Sequence, residues 1–514
     1  MTLAWWQDGV IYQIYPRSFA DSDGDGTGDL PGIVGRLDYL VKLGVQAVWV
    51  SPVYPSPMAD FGYDVSDYCG VDPLFGTLAD MDALIAGAHG CGLKVVLDLV
   101  PNHTSDKHPW FVESRRNRGN DRHDWYLWRD PAPGGGPPNN WRSHFGGPAW
   151  TFVPERGQFY CHSFLPAQPD LNWRHPGVRT AMFDAMRFWL RRGVDGFRVD
   201  VIWLMVKDDQ FRDNPAGAGD LFNADRPEVH EVVAAMRTVV DEFPDRVLIG
   251  EIYLPADRLV TYYGTAARPE CHLPFNFQLL LLETWNAPSL AWLIARYEQL
   301  LPPEAWPNWV LGNHDRSRVA SRLGQAQARV AAVLLHVLRG TPTIYMGDEL
   351  GMVDTPIPAS EVRDPSELRQ PGEGTGRDKV RTPFPWRSGP GAGFTTGVPW
   401  LRVGADTPLS EQEGDPRSMY TLYRDLLALR RRTAALRVGG LTGLAADGAV
   451  LRFNRGKNVL VLANTSDVEA QVVQGGGMVL VSTHDERGNA VLAGHLTLRP
   501  NEAVVLETVP CDHG

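Results

Sequence analysis

Short apolar runs alternate with amphipathic stretches along the first 350 residues. VIYQIYP at 10–16, AVWVSPV at 47–53 and KVVLDLV at 94–100 are the kind of run that a strand buried on both faces requires. Between them, residues 32–44 and 77–90 carry apolar positions at helical spacing, and the first of these helices ends near Gly44. Then the rhythm stops. Residues 104–172 are rich in Trp, Gly, Pro, Asn and Arg and include the breaker run PAPGGGPPNN at 131–140. That stretch is too long for a plain loop and is read as a small irregular subdomain inserted after the third strand.

The alternation resumes with a helix over 176–192, where Val178, Met182, Met186, Trp189 and Leu190 recur at helical spacing. Gly193 ends it, and a strand follows over 196–201. A helix near 227–242 leads to the strand VLIGEIY at 247–253. HLPFNF at 272–277 is a weaker sixth strand, followed by a helix around 288–301. WVLGNHD reads as a seventh strand ending at Asp315, and the apolar helix 328–339 leads to TIYMGDE at 343–349. Eight strands alternating with helices predict an α/β fold, a (β/α)8 TIM barrel built from residues 1–103 and 173–435 around the insertion 104–172. A polar, Pro/Gly-rich stretch runs to about 416, and the helix MYTLYRDLLALRRR follows it. Short strands such as VLRFNR, NVLVLAN and AVVLET then predict a C-terminal β-sandwich over 436–514.

Composition narrows the partners. With a net charge of −12 the chain is a poor match for nucleic acid or an anionic membrane. Its 17 tryptophans leave enough aromatic surface for flat ligands such as sugar rings, although most will be core. The five cysteines, Cys69, Cys91, Cys161, Cys271 and Cys511, lack CxxC spacing and read as buried free thiols of a reducing compartment. MTLAWWQDGV has no secretory pattern and no later run approaches membrane-spanning length, so a soluble cytoplasmic protein is expected.

The chemistry-bearing residues fall at strand ends. In RGVDGFRVDV, Arg198 and Asp200 stand two apart on one face of the fourth strand, so the guanidinium is placed to hold the carboxylate ionised. Glu251 ends the fifth strand and Asp315 the seventh, beside Asp64 from the second loop and His103 from the third. In a barrel of this kind all of them converge on one mouth. Two carboxyl groups flanking a scissile bond are what glycoside hydrolysis requires, one attacking the anomeric carbon and the other protonating the leaving oxygen. The apolar neighbours in GEIY would raise the Glu251 carboxyl enough to make it the acid.

DLVPNHTS at 98–105, GFRVD at 196–200, GEIY at 250–253 and LGNHD at 311–315 together resemble the four ordered signature regions of the α-amylase superfamily, glycoside hydrolase family thirteen. The likeness covers essentially the whole chain. It implies a retaining mechanism with Asp200 as nucleophile, Glu251 as general acid/base and Asp315 as a transition-state stabiliser, and with His103 and His314 hydrogen-bonding the glucose. QPDLN at 168–172 resembles the oligo-1,6-glucosidase and α-glucosidase branch. By the same resemblance Asp64, from FGYDVSDY, and Arg377, from GRDKVRTPFPW, clamp the outermost hydroxyls of a terminal glucose. A pocket closed in that way implies exo-acting removal of single glucose units. Val201, directly after the nucleophile, either shapes the leaving-group subsite, as a valine there does in relatives acting on α-1,6 bonds, or merely fills a strand. Short α-glucosides such as isomaltose, sucrose, trehalose or maltose are the expected substrates, with no organic cofactor. A glucosyl-transferring or isomerising enzyme of the trehalose synthase or sucrose isomerase type is the alternative on this scaffold. The RLDRD-type loop of sucrose isomerases does not occur in the chain.

DSDGDGTGD at 21–29 is a separate motif. Oxygen ligands at every second residue, Asp21, Asp23, Asp25, the Thr27 carbonyl and Asp29, match the front half of a calcium loop, with Gly26 at the sharp turn. Gly32 stands where such loops place a bidentate glutamate, which leaves a bare acidic turn as the other reading. Ligands this many and protein-borne favour Ca2+ over Mg2+, in a structural role.

Overall fold

The computed structural model of the protein describes residues 3–473, 477–484, 490–492 and 494–508; Cys511 lies outside them. Eight parallel strands make one sheet: Ile11–Ile14, Ala47–Val50, Lys94–Leu99, Gly196–Val199, Val247–Gly250, Leu273–Pro274, Asn308–Val310 and Thr341–Tyr345. Taken in space their order is sixth, fifth, fourth, third, second, first, eighth, seventh. That is the neighbour sequence of a (β/α)8 barrel lacking one pairing, because among the described residues the sixth and seventh strands do not bond to each other. Strand residues are buried on both faces, as the apolar runs require: Ile11, Trp49, Val96, Ile249 and Val310 fill the barrel, while a larger cluster lies between sheet and helices.

Local chemistry explains the helices around the sheet. Leu78–Gly90 begins with a capping box in which Thr77 and Asp80 satisfy each other's backbone donors. Pro176–Arg192 ends at Gly193, whose φ of 105° is a left-handed conformation that a side chain would disfavour. Two predicted helices differ from the structure. The stretch 32–44 divides into Leu30–Val34 and Leu37–Leu43 around Gly35 and Arg36. The helix expected over 328–339 runs Val319–Val337 and bends at Gly324, whose φ of 75° breaks the periodicity that marks a helix in sequence.

Strand ends also differ. The fourth strand stops at Val199, so Asp200 and Val201 already lie in the turn. The sixth shrinks to two residues at Pro274, which has no N–H to give a ladder. The seventh stops at Val310, leaving LGNHD as loop. The insertion carries a three-stranded antiparallel sheet of Trp128–Arg129, Trp150–Val153 and Gln158–Cys161, joined to the barrel where His103 bridges Asp170. At the C-terminus a six-stranded and a two-stranded antiparallel sheet share a core of Val450, Leu460, Val472, Leu496 and Val504, which is a sandwich.

Two of the cysteines expected to be buried are not. Cys91 is exposed and Cys69 half-buried, whereas Cys161 and Cys271 are buried. Among the described residues no helix is long and apolar enough to cross a membrane.

Candidate active site

Strand register creates the centre of the site. Arg198 pairs across the sheet with Asp98 of the third strand and Ile249 of the fifth, and Val199 pairs with Gly250. The Asp200 N–H donates to Leu99 O at 2.8 Å and the Glu251 N–H to Val199 O at 3.0 Å, so both carboxyl groups leave the sheet at the same level. The buried Arg198 guanidinium then reaches three carboxylates: Asp98 at 2.8 Å, Asp200 at 2.8 Å and Glu251 at 2.6 Å. Its face lies 4.8 Å over the ring of Trp49.

Val201 is the strained link. Its φ of 35° and ψ of 45° are left-handed, a conformation that a β-branched residue adopts at a cost of about 1–3 kcal/mol. In return its N–H is aimed at Glu251 Oε2, 2.9 Å away. Val201 also lines the cleft.

The protonation states follow from burial and crowding. Burial, then repulsion from Glu251, pushes the Asp200 carboxyl well above its ordinary range despite Arg198. Burial raises Glu251 as well. Arg198 pulls the Asp200 carboxyl down, as expected of it, but burial and the charge of Glu251 outweigh that pull. The pair binds a proton more tightly than isolated carboxyls would, and that proton is what an acid catalyst must bring. Burial pushes Asp98 up to about 7. Its oxygens nevertheless accept from Arg198, from Trp49 Nε1 at 3.1 Å and from Tyr63 Oη at 3.1 Å, an environment built for the anion.

Asp315 sits in the opposite setting. Burial alone would raise it, but His314, Arg381 and Arg377 together hold it well below the usual carboxylate range. Burial keeps His314 itself neutral, so at neutral pH the guanidiniums carry that effect. Arg381 Nη2 donates to Asp315 at 2.8 Å, and Arg377 Nη1 lies 3.5 Å from it. His314 stacks between Tyr63 and Tyr15, at 5.3 and 5.7 Å, and Gln13 Nε2 stands 2.7 Å from its Nδ1. Burial takes His103 down to about 4, with its Nε2 2.9 Å from Tyr63 O and 3.2 Å from Gln168 Nε2. Both imidazoles are thus neutral hydrogen-bonding groups.

One expected pair is not formed. The Asp64 carboxylate is enclosed in its own loop, where it accepts from Ser56 Oγ, Ala59 N and Asp60 N, each at 2.9 Å. The acid that meets Arg377 is Asp60, at 2.6 Å, and Asp364 supports the same guanidinium from behind at 2.5 Å. The loop takes left-handed turns at Met58, φ 62°, and Phe61, φ 50°, and it is Asp60 and not Asp64 that lines the cleft. Spacing alone does not separate two aspartates in one irregular loop.

These groups line one cleft of about 1050 Å³. Asp60, His103, Asp200, Glu251, Asp315 and Arg377 all face it. Asp98, Asp364 and Arg381, which sequence spacing did not single out, stand behind them.

The acidic loop lies apart from this cleft. Asp21, Asp23 and Asp29 each bring a carboxylate oxygen within 4.8 Å of the others. Asp21 accepts from the backbone of Asp23, Gly24 and Gly26 and from Thr395 Oγ1, which hold it low although burial alone would raise it. Asp25 is outside the cluster, and its carboxylate accepts from Thr27 N at 2.6 Å. Burial raises Asp25 and the three neighbouring aspartates raise it further, a crowding that a bound cation would relieve. The donor set, all hard oxygens, suits a calcium-like ion.

The chain is 43% identical over 498 residues to a probable alpha-glucosidase of Rhizobium meliloti (strain 1021), covering 91% of this chain and 90% of that one. It is 37% identical over 552 residues to the oligo-1,6-glucosidase of Heyndrickxia coagulans, covering 98% and 99%. The crystal structure of the alpha-glucosyl transfer enzyme XgtA superposes with a TM-score of 0.93 at 40% identity, covering 99% of this chain and all of that one. The model of the alpha-amylase catalytic domain matches residues 13–439, and the chain therefore belongs to the α-amylase catalytic-domain family.

Proposed function

We propose that the protein is an exo-acting retaining α-glucosidase that releases glucose from the non-reducing end of short α-glucosides such as isomaltose, sucrose, trehalose or maltose. The observation that carries this is the charged end of the cleft, where Arg377 is gripped by Asp60 and Asp364 beside Asp315. Paired charges there meet the hydroxyls of a terminal sugar and leave no path for a longer chain. In the first step Asp200 forms a bond to the anomeric carbon while Glu251 gives its proton to the departing oxygen. In the second Glu251 takes a proton from water, whose oxygen displaces the Asp200 carboxylate. Asp315, His103 and His314 hold the sugar hydroxyls, and Asp98 positions Arg198.

Two readouts test this together. Incubation with maltose, isomaltose, sucrose and trehalose, with free glucose resolved from transfer products, gives the substrate range. The anomer first released must be α; initial β-glucose overturns the retaining mechanism. Glucosyl transfer is the second reading, favoured by the 40% identity to an alpha-glucosyl transfer enzyme over 99% of the chain. Transfer products exceeding free glucose at low sugar concentration would establish it.

The Asp60 reading gives a paired expectation. Asp60→Asn should raise KM for disaccharides by one to two orders of magnitude, since a charge-assisted bond to a buried partner is worth roughly 1.5–3 kcal/mol. Asp64→Asn should instead lower the unfolding temperature with a far smaller change in KM, because its carboxylate serves the loop. Steady-state kinetics and thermal melts of both variants decide which acid faces the sugar.

We further propose that Asp21, Asp23 and Asp29, with Asp25 and the Thr27 carbonyl drawn in, hold a structural Ca2+ remote from the chemistry. A chelator should then lower the melting temperature reversibly without changing kcat at 25 °C. At a free ion concentration of 100 Kd the loss amounts to about 2.7 kcal/mol. A melt that neither chelator nor added Ca2+ moves would leave the loop a bare acidic turn. A cytoplasmic location is proposed from the cysteine pattern, four of whose members are free thiols.

A further inference from the structure

The two sides of the cleft differ in chemistry. Charged groups close the glucose end, whereas the loop after the sixth strand, QLLLLETW at 278–285, lays Leu280, Leu281, Leu282 and Trp285 along the cleft, with Glu283 as its one charged member there, together with Val201 and Trp203. Leu281 is 42% exposed, a large apolar side chain left open to the cleft it lines. Such exposure in a concave site marks contact with an apolar ligand group.

Sheet order places this wall on the leaving-group side. Among the described residues the sixth strand pairs with the fifth alone, Leu273 with Ile249 and Pro274 with Gly250, so its loop rises beside Glu251. Tyr253, two residues past Glu251, stacks on Phe277 with centroids 4.3 Å apart and planes at 7°. The loop is also fastened at both ends. Gln278 Nε2 donates to Leu254 O at 3.1 Å, and Trp285 Nε1 to Gln327 Oε1 at 3.1 Å, just before Asn286 caps the next helix. The leucines are therefore held on display and not left by chance on a loose segment.

The geometry points to an aglycone site for apolar alcohols: the group that departs past Glu251 is an alkyl or aryl residue in preference to a second sugar. A sugar ring laid on the three leucines needs partners for several hydroxyls and has Glu283 alone from this loop, so most of those hydroxyls would lose water without compensation. An alkyl chain or phenyl ring gains from the same surface. In the reverse sense the site accepts such an alcohol as glucosyl acceptor. Glu251 takes the alcohol proton, the alcohol oxygen bonds to the anomeric carbon, and the bond to Asp200 breaks.

This inference rests on the α-glucosidase reading, and the test separates the two. Hexyl and methyl α-D-glucoside have leaving alcohols of nearly equal acidity, so a difference between them reports contact and not chemistry. The kcat/KM for the hexyl glucoside, measured below its micelle concentration, should exceed that for the methyl glucoside at least tenfold. In Leu281→Asn and Leu282→Asn that ratio should fall toward one; as a ratio it cancels changes at the glucose end and in the folded fraction. A wild-type ratio near one, or a high ratio untouched by both substitutions, overturns the apolar site while methyl glucoside turnover keeps the α-glucosidase reading. Turnover of neither glucoside, nor of any of the four disaccharides, overturns that reading itself.

Discussion

Asp200→Asn is expected to lower kcat by about four orders of magnitude or more while the protein stays folded, since the substitution removes the only group placed to form the glycosyl bond. Asparagine keeps the shape and one acceptor for Arg198 but cannot carry the negative charge that the anomeric carbon needs. The fold should not suffer. Asp200 is buried against Glu251 and shares its guanidinium with two other acids, so losing one charge relieves repulsion rather than breaking a private pair. A thermal melt should therefore show a midpoint equal to or above that of the parent. A smaller nucleophile-sized hole offers a second check: Asp200→Gly with added azide should yield the β-glucosyl azide, because azide then attacks from the side that the carboxylate vacated. Ordinary turnover in Asp200→Asn, or an α-azide from the glycine variant, sinks the assignment.

The positions of Asp200, Glu251 and Asp315 were legible because each follows a strand-like run, the first two directly and Asp315 at the end of the loop that follows Val310. The barrel carries such positions to one mouth by topology alone. Asp98 was not legible as a partner of Arg198, although DLVPNHTS contains it, because that contact is a cross-strand register pairing separated by 100 residues. The same holds for Arg381 and Asp364, which meet Asp315 and Arg377 through a long Pro/Gly-rich segment with no periodicity to read. Asp60 and Asp64 are not separated by spacing, because both fall in one irregular loop that turns left-handed at Met58 and Phe61. The helix Val319–Val337 was shortened for a related reason, a glycine with a non-helical φ inside it.

Charge at the site was the harder quantity. Arg198 two residues from Asp200 predicts an acid held low; the guanidinium does pull that way, but burial and Glu251, neither of which strand spacing displays, outweigh it. Asp315 shows the converse: two guanidiniums from a distant segment, Arg377 and Arg381, make it the strongest acid of the three. The division of labour then follows from environment. The group that must stay anionic to hold hydroxyls has the guanidiniums, and the pair that must share a proton is crowded and dry.

Glu251→Gln should divide substrates by leaving group. The raised carboxyl supplies the proton that an alkoxide needs on departure, so a disaccharide should lose about 10³–10⁴ in kcat/KM, the upper range of general acid catalysis. An aryl glucoside, whose phenoxide leaves without much help, should lose far less in the first step. Glutamine also disturbs what Glu251 accepts, since both its oxygens face donors, the Val201 N–H at 2.9 Å and Arg198 Nη2 at 2.6 Å. One of them must then confront an amide NH2, which adds a loss common to all substrates. The pH profile separates that common loss from lost acid chemistry. An acid with a raised pKa is active below that pKa and fails as pH rises through it, so the parent should show an alkaline limb displaced upward from the ordinary glutamate range. In the variant that limb should vanish, leaving the residual rate flat toward high pH. Equal losses for disaccharide and aryl glucoside, with the alkaline limb still in place, would mean that Glu251 serves geometry and that another group delivers the proton.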